Sequence, residues 1–576
     1  MPPIKNPRSL YILAVLILLS LSSRPSSASQ KEKVSDFFEQ DTRQILARMS
    51  LGEKLGQVLV FGFDEDSLDD EMKNWIITGK LGNIKMFLRN VTSKKQLLDL
   101  TSEIKRLTDI SDESIPPFIA TDMEGGTVNH IRYDDILLAP SAGLIGASYN
   151  CANSTYASRL IALTLRESGI NMNFAPCVDV LTNPQNMVIG TRSYGSDPYE
   201  VYFMAKAFIS EHEKYGVTAV AKHFPGHGMT DFDTHTSVLG VVSVTDEIQD
   251  VHLLPYRHLI KEGALRACMV SHVIYSGLDP IYPASFSPVI VNGMLRQDLG
   301  FEGLIVTDDL EMQAAEDFTG DIVKSFILAF RSGADLILVS HTREKQKKLL
   351  EKLPLLFESG ILSEHELDIR VSRVLRAKQA TLSRFYADLP EDIKYSDTIE
   401  TVSNRLSDAS AEGIVKISSR IDELLVENAS ETLGQSYRGV FLAPITRFED
   451  LANRYMPSWD VIYIRYKPGR SENKARIRRF TERLKQYDVV VIGMVNNRQG
   501  EWARTCIEQD IPFAILSMEN PFFALEFQQD ALFIASCFSP YPPEPDALFA
   551  SVFRTGKFEG SFPYSYEPAS VGAESR

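Results

Sequence analysis

Five cysteines in 576 residues are too few to staple a chain of this size. Cys151, Cys177, Cys268, Cys506 and Cys537 are irregularly spaced and form no CxxC pair, which leaves neither a disulfide framework nor a cysteine metal motif. Several stand in apolar runs, where cysteine is a small buried hydrophobe. Basic stripes and arginine-rich tails are also missing. With 60 basic against 76 acidic residues the formal charge is −16, which argues against nucleic acid or an anionic membrane surface as partner. There is no internal repeat, no low-complexity tract beyond a serine-rich stretch near the N-terminus, and no HExxH helix of the metalloprotease kind.

What is present begins with an N-terminal pattern. Lys5 and Arg8 precede a run from Leu10 to Leu21 that is apolar except at Ser20, and Ser-, Arg- and Pro-containing sequence follows to Ala28-Ser29. This is the layout of a secretory signal, too short for a comfortable span of about 20 residues. The expectation is a signal over 1–29 and an extracytoplasmic mature chain, periplasmic or secreted. An uncleaved anchor is the alternative, and no cysteine follows the run to take a lipid. Asn90, Asn153 and Asn428 stand in glycosylation sequons, which matter only in a eukaryotic source.

Between residues 36 and 384, short β-branched runs alternate with amphipathic segments. The apolar runs are Gln57–Phe63, Gly82–Leu88, Pro117–Thr121, Met172–Val180, Val217–Ala221, Ala267–Val273, Leu304–Thr307 and Asp335–Val339. Between them lie helical stretches such as Tyr199–Tyr215 and Asp321–Arg331, several closed by glycine. Eight such units predict a (β/α)8 barrel of the TIM type, the rival being an open doubly wound sheet. A linker over 385–410 leads to a second alternating region, 411–570. Its five apolar runs, Arg438–Leu442, Val461–Arg465, Asp488–Met494, Phe513–Ser517 and Leu532–Ser536, predict a smaller three-layer α/β sandwich.

The densest chemistry lies in Lys222-His-Phe-Pro-Gly-His-Gly228 and the Asp233-Thr-His235 that follows. Three of the ten histidines fall here, in a loop that Pro225 and two glycines keep out of regular structure. Lys222 and His223 end the fifth predicted strand, and polar residues end others: Asp122 and Glu124, Asp179 with Arg192 beyond it, His272, and Asp308-Asp309. In a barrel these ends converge on one face. Asp122, Arg192, Lys222, His223 and Asp308 would line a pocket suited to a polyhydroxylated ligand such as a sugar, while Asp179 and Asp309 could merely cap their strands. His223, His227, Asp233 and His235 are also possible zinc ligands, although Pro225 and Gly226 break the helix that would align the first two.

These segments resemble glycoside hydrolase family 3, and within it the bacterial β-N-acetylglucosaminidases. The resemblance is carried by Gly56–Phe63, Ala120-Thr-Asp-Met-Glu-Gly-Gly126, Asn173-Phe-Ala-Pro-Cys-Val-Asp179, Ile189-Gly-Thr-Arg-Ser-Tyr-Gly-Ser-Asp197, the 222–235 loop and Gly303-Leu-Ile-Val-Thr-Asp-Asp-Leu310; beyond residue 400 it rests on the α/β pattern and Gly560-Ser-Phe-Pro563. It implies a retaining exo-β-N-acetylhexosaminidase with no metal and no organic cofactor. Asp308 would be the nucleophile, His235 the general acid/base on a mobile loop, and Asp233 the residue that orients it. Asp122, Arg192, Lys222 and His223 would contact the sugar, and His272 is a further candidate contact at the end of the sixth strand. Lys222 and His223 would be fixed, with Gly226 and Gly228 as the hinge on which Asp233 and His235 swing, while His227 holds the loop together. The chain departs from the family at Thr127, where arginine is common, and over Thr236–Gly240, where a Leu-Pro continuation is usual.

The chemistry agrees with these roles: a carboxylate can attack and later leave an anomeric carbon, and an imidazole can give and take a proton near neutral pH. The expected partner is a carbohydrate, from peptidoglycan fragments or chitin-type oligosaccharides, with no nucleic acid, no stable membrane insertion after signal cleavage, and a monomer or weak dimer. A phosphorylase, a non-catalytic glycan-binding wall protein and a metallohydrolase are the rivals.

Overall fold

The computed structural model describes residues 37, 40–110, 115–134, 136–230, 241–242, 247–388, 405, 408–419, 438–466, 469–540, 544–555, 558–561 and 563. The expected signal, Asp233, His235, Asn428 and most of the expected linker lie outside the described residues. No helix among the described residues is long and apolar enough to cross a membrane.

Eight short strands follow one another: β1 (Leu59–Phe61), β2 (Asn83–Lys85), β3 (Phe118–Thr121), β4 (Met172–Asn173), β5 (Thr218–Phe224), β6 (Ala267–Val270), β7 (Leu304–Thr307) and β8 (Ile337–Val339). They pair in parallel in the order β7-β6-β5-β4-β3-β2-β1-β8. Across the remaining seam Val306 bridges Leu336, with the Thr307 N–H donating to Leu336 O at 3.0 Å and the Leu336 N–H to Ile305 O at 3.1 Å. The sheet closes into the predicted barrel.

Strand periodicity sorts the side chains. Val60, Ala120, Val220, Met269, Val306 and Leu338 share one cluster inside the barrel, while their neighbours Phe61, Ile119, Ala221, Val270, Ile305 and Val339 belong to the cluster under the helices. Extended to the carboxyl ends, the inward parity selects Lys85, Asp122, Lys222, Asp308 and Ser340. The fold therefore delivers charged groups to one mouth of the barrel.

Several strands are shorter than expected. Gln57 and Val58 close the helix Leu51–Val58, because Ser50 and Glu53 form a capping box that starts a helix there. β4 stops at Asn173, ahead of Pro176, which has no N–H to offer a ladder. Gly320 and Gly333 end their helices in the left-handed conformation, with φ of 67° and 115°. Two sequon asparagines are structural: Asn90 is buried and donates to Phe63 O and Glu65 O, and Asn153 is buried and donates to Ser148 and Glu412.

The second domain is a six-stranded sheet, with β9 (Val415–Ser419), β10 (Gly439–Ala443), β11 (Asp460–Tyr463), β12 (Val489–Met494), β13 (Phe513–Ser517) and β14 (Phe533–Ser536) in the order β9-β14-β13-β12-β10-β11. The sequence showed five of these. The sixth, β9, joins antiparallel to β14, an edge position that needs no continuous apolar run. Separate apolar clusters cover the two faces: Phe441 and Leu516 pack with Phe448 and Phe549 on one, Leu442 and Ile515 with Leu484 and Trp502 on the other. The first cluster also takes in Leu144, Ala147, Leu181 and Ile189 of the barrel domain, so the two domains share a core.

Asp335, just before β8, is fully buried and accepts from Arg296 at 2.6 Å, Arg373 at 2.9 Å and the Ile305 N–H at 2.9 Å. It fastens the closing seam. Asp335→Ala strands two guanidinium groups and should cost about 3 kcal/mol or more in urea unfolding; an unchanged midpoint would remove Asp335 from that role.

Candidate active site

A cavity of about 630 Å³ opens at the carboxyl ends of the barrel strands, within the range of roughly 300–1,000 Å³ usual for small-molecule sites. Its lining includes Asp122, Arg192, Lys222, His223 and Asp308, so these candidate residues stand around one space.

The floor is a network of paired charges. Lys222 Nζ lies 2.7 Å from Asp122 Oδ1 and 2.7 Å from Glu124 Oε1. Arg192 grips Glu124 with both prongs, Nε to Oε2 at 2.9 Å and Nη2 to Oε1 at 2.8 Å. Burial alone would raise the Glu124 carboxyl, but Arg192 and Lys222 outweigh it and hold it well below the usual carboxylate range. Lys85, almost wholly buried, bonds Asp122 Oδ2. Its burial, reinforced by the Lys222 charge, pushes its ammonium well below the ordinary lysine value, while Asp309, Asp308 and Glu124 pull the other way.

His223 is set by a second carboxylate. The β5–β6 register slips between Ala221 and Phe224, which lets the consecutive residues Lys222 and His223 both serve the cavity. Asp179, fully buried, faces His223 Nδ1 at 2.7 Å and accepts the His227 N–H at 2.6 Å. Burial would raise its carboxyl, but the His223 ring and the His227 amide hold it below the usual range. Asp179 thus does more than cap its strand: it presents the other face of the imidazole, whose Nε2 lies 3.5 Å from Arg192 Nη2.

Asp308 is half-buried at the end of β7, with Oδ1 accepting the Asp309 N–H at 2.9 Å. Asp309 also lines the cavity and bonds the Ser340 hydroxyl. His272, expected to contact substrate, does not line the cavity. Its ring is buried, with Nδ1 2.7 Å from Ser285 Oγ and Nε2 2.9 Å from Asp309 O, so it braces the backbone behind Asp308.

The glycines of the 222–235 loop are not the joints expected of them. A Cβ on Gly228 would stand 1.9 Å from Val180 O, and one on Gly226, at φ 141°, would stand 2.7 Å from His252 Cβ. They serve close approach rather than swing. His227, buried, has Nδ1 2.8 Å from Thr230 Oγ1 while its carbonyl accepts from Asn186 at 2.6 Å, so the loop is pinned as far as Thr230. The second domain backs the neighbouring loop, Asn520 Nδ2 lying 3.0 Å from Sδ of the cavity residue Met187.

Among the described residues, Cys177, Asp179 and His223 are grouped closely enough to hold a metal ion. Hydrogen bonding accounts for the group: the Cys177 thiol donates to Asp179 Oδ2 at 3.1 Å, and His223 Nδ1 lies 2.7 Å from the same oxygen.

Sequence reasoning missed Lys85, Phe87, His130 and His341, all in the lining. Lys85 left a signal, a lysine inside an apolar run with the inward parity of its strand. Phe87, His130 and His341 stand beyond strand ends, where parity no longer applies. Thr127, the point of departure from the family pattern, also lines the cavity.

The sequence pattern of the Glycosyl hydrolase family 3 N terminal domain matches residues 50–377, more than half of the chain. The chain belongs to glycosyl hydrolase family 3. Among relatives, Beta-hexosaminidase A of Pseudoalteromonas piscicida is 32% identical over 332 residues, a match that spans 54% of this chain and 55% of that protein. Beta-hexosaminidase of Psychromonas ingrahamii is 35% identical over 291 residues, 50% of this chain and 83% of that one. The solved structure of a glycoside hydrolase family 3 beta-N-acetylglucosaminidase from Paenibacillus sp. str. FPU-7 is 28% identical with a TM-score of 0.79, covering 90% of this chain and 99% of that one. At 90% of this chain, the structural similarity extends beyond the residues matched by the family pattern and into the second sheet.

Burial pushes the Asp309 carboxyl up to about 7, against the Ser340 hydroxyl. A carboxyl raised on folding adds stability while protonated, and that contribution fades as pH rises from about 4 through 7. Asp309→Asn cannot titrate. Its stability relative to wild type should therefore improve over this window, by at most about 1.4 kcal/mol per pH unit, in urea unfolding from pH 4 to 8; a pH-independent difference would contradict the assignment.

Proposed function

We propose that this family 3 glycoside hydrolase is an exported, retaining exo-β-N-acetylhexosaminidase that releases terminal β-linked N-acetylglucosamine from peptidoglycan fragments or chitin-type oligosaccharides. The reading is carried by one observation, the Asp308 carboxylate in a single cavity with the Asp122, Lys222 and Arg192 network. Such a space suits a polyhydroxylated ring, its hydroxyls met by paired charges and its anomeric carbon turned to a carboxylate. The names of the two bacterial relatives and of the Paenibacillus structure support the choice of an N-acetylated sugar.

In the first step Asp308 attacks the anomeric carbon, the glycosidic C–O bond breaks, and His235 protonates the departing oxygen. In the second, the same imidazole takes a proton from water, which attacks the anomeric carbon and releases the carboxylate. Asp233 orients His235 and stabilises the imidazolium. The Lys5-to-Ser29 pattern supports export.

Hydrolysis of an aryl β-N-acetylglucosaminide by the purified protein tests the reading. Asp308→Ala should lower turnover by roughly 10⁴-fold, and His235→Ala by about 10²–10⁴-fold, most severely with poor leaving groups. Full turnover in either variant removes that residue from its role. Release of N-acetylglucosamine 1-phosphate in phosphate buffer would instead make the enzyme a phosphorylase.

A further inference from the structure

The rim of the cavity differs in kind from its floor. Side chains of Lys222, Glu124 and Arg192 at the floor are 4%, 5% and 15% exposed, whereas those of His130 and His341 are 30% and 48% exposed. Phe87, half-buried, lies between these two rings, its centroid 5.3 Å from that of His130 with planes inclined 38°, and 4.9 Å from that of His341 with planes inclined 40°. The Arg89 guanidinium, which does not line the cavity, backs the phenyl ring at 4.1 Å and is held by Phe63 O and Ser340 O. His130 Nδ1 stands 3.4 Å from Asp122 Oδ2 and His341 Nε2 stands 3.4 Å from Asp309 Oδ2, so the imidazoles touch the two carboxylate walls. Burial lowers both imidazole pKa values, and the Lys85 and Arg89 charges add to the effect, leaving neutral rings at neutral pH. Three uncharged flat groups from the segments that follow β2, β3 and β8 thus border a pocket whose floor is ionic.

We propose that Phe87, His130 and His341 form the leaving-group subsite and receive the second sugar ring of the substrate, β-linked to the terminal residue. The inference rests on the glycosidase reading above. An exo-acting site holds the terminal sugar at its floor, so the ring beyond the scissile bond must lie outward. A pyranose offers a face of C–H groups, which aromatic rings cover favourably and a fixed charge does not.

The test compares kcat/KM for N,N′-diacetylchitobiose and for β-N-acetylglucosaminyl fluoride in wild type, Phe87→Leu and His341→Ala. The fluoride leaves without a ring and draws on the floor alone. In both variants the disaccharide value should fall about tenfold relative to the fluoride value. Equal losses on the two substrates, or a larger loss on the fluoride, overturn the subsite, as does a wild type that accepts only the fluoride. A wild type that turns over neither substrate overturns the glycosidase reading itself. His341 is half-exposed, so its variant tests the subsite even where Phe87→Leu fails to fold.

Discussion

Two carboxylates, two lysines and an arginine share one buried patch at the mouth of the barrel, and the rest of the site is arranged around keeping them paired. Removing such charges from water is costly unless each finds partners with good geometry. Asp122 takes a lysine on each oxygen, and Glu124 takes both prongs of Arg192 with Lys222. The pairing holds the groups in place before a ligand arrives, so the hydroxyls of the proposed sugar would meet donors and acceptors that need little reorganisation. A second carboxylate, Asp179, fixes the ring of His223 and the loop amide of His227 beside this patch.

The barrel was legible in the sequence because parallel strands buried on both faces read as apolar runs, and eight of them alternated with helices. The convergence of Asp122, Arg192, Lys222, His223 and Asp308 followed from the topology alone. Lys85 was readable in principle: the parity that turns Lys222 and Asp308 inward also turns Lys85 inward. His272 misled because a polar residue at a strand end can as well brace backbone as meet a ligand. Gly226 and Gly228 misled for a related reason, since glycine serves flexibility and close approach alike. The neighbours decide between them, the Val180 carbonyl at Gly228 and the His252 side chain at Gly226.

Among the described residues, the second domain meets the site through contact, and none of its side chains lines the cavity. Its core merges with Leu144, Ala147, Leu181 and Ile189, and Asn520 meets Met187 at the cavity wall. The loop between Asp179 and Arg192 is thereby held from behind, while the 222–230 loop is held from the side by Asn186 and Asp179. β9, which has no counterpart among the apolar runs read from the sequence, closes the edge of this supporting sheet.

Asp308 is the carboxylate proposed to bond to the sugar, and mass spectrometry of a trapped intermediate tests that role most directly. Incubation with a 5-fluoro-N-acetylglucosaminyl fluoride, which slows release of the glycosyl-enzyme, should add one sugar mass to the protein, and digestion should place it on the peptide carrying Asp308. A label on any other residue, or none while the fluoride is consumed, would contradict the account.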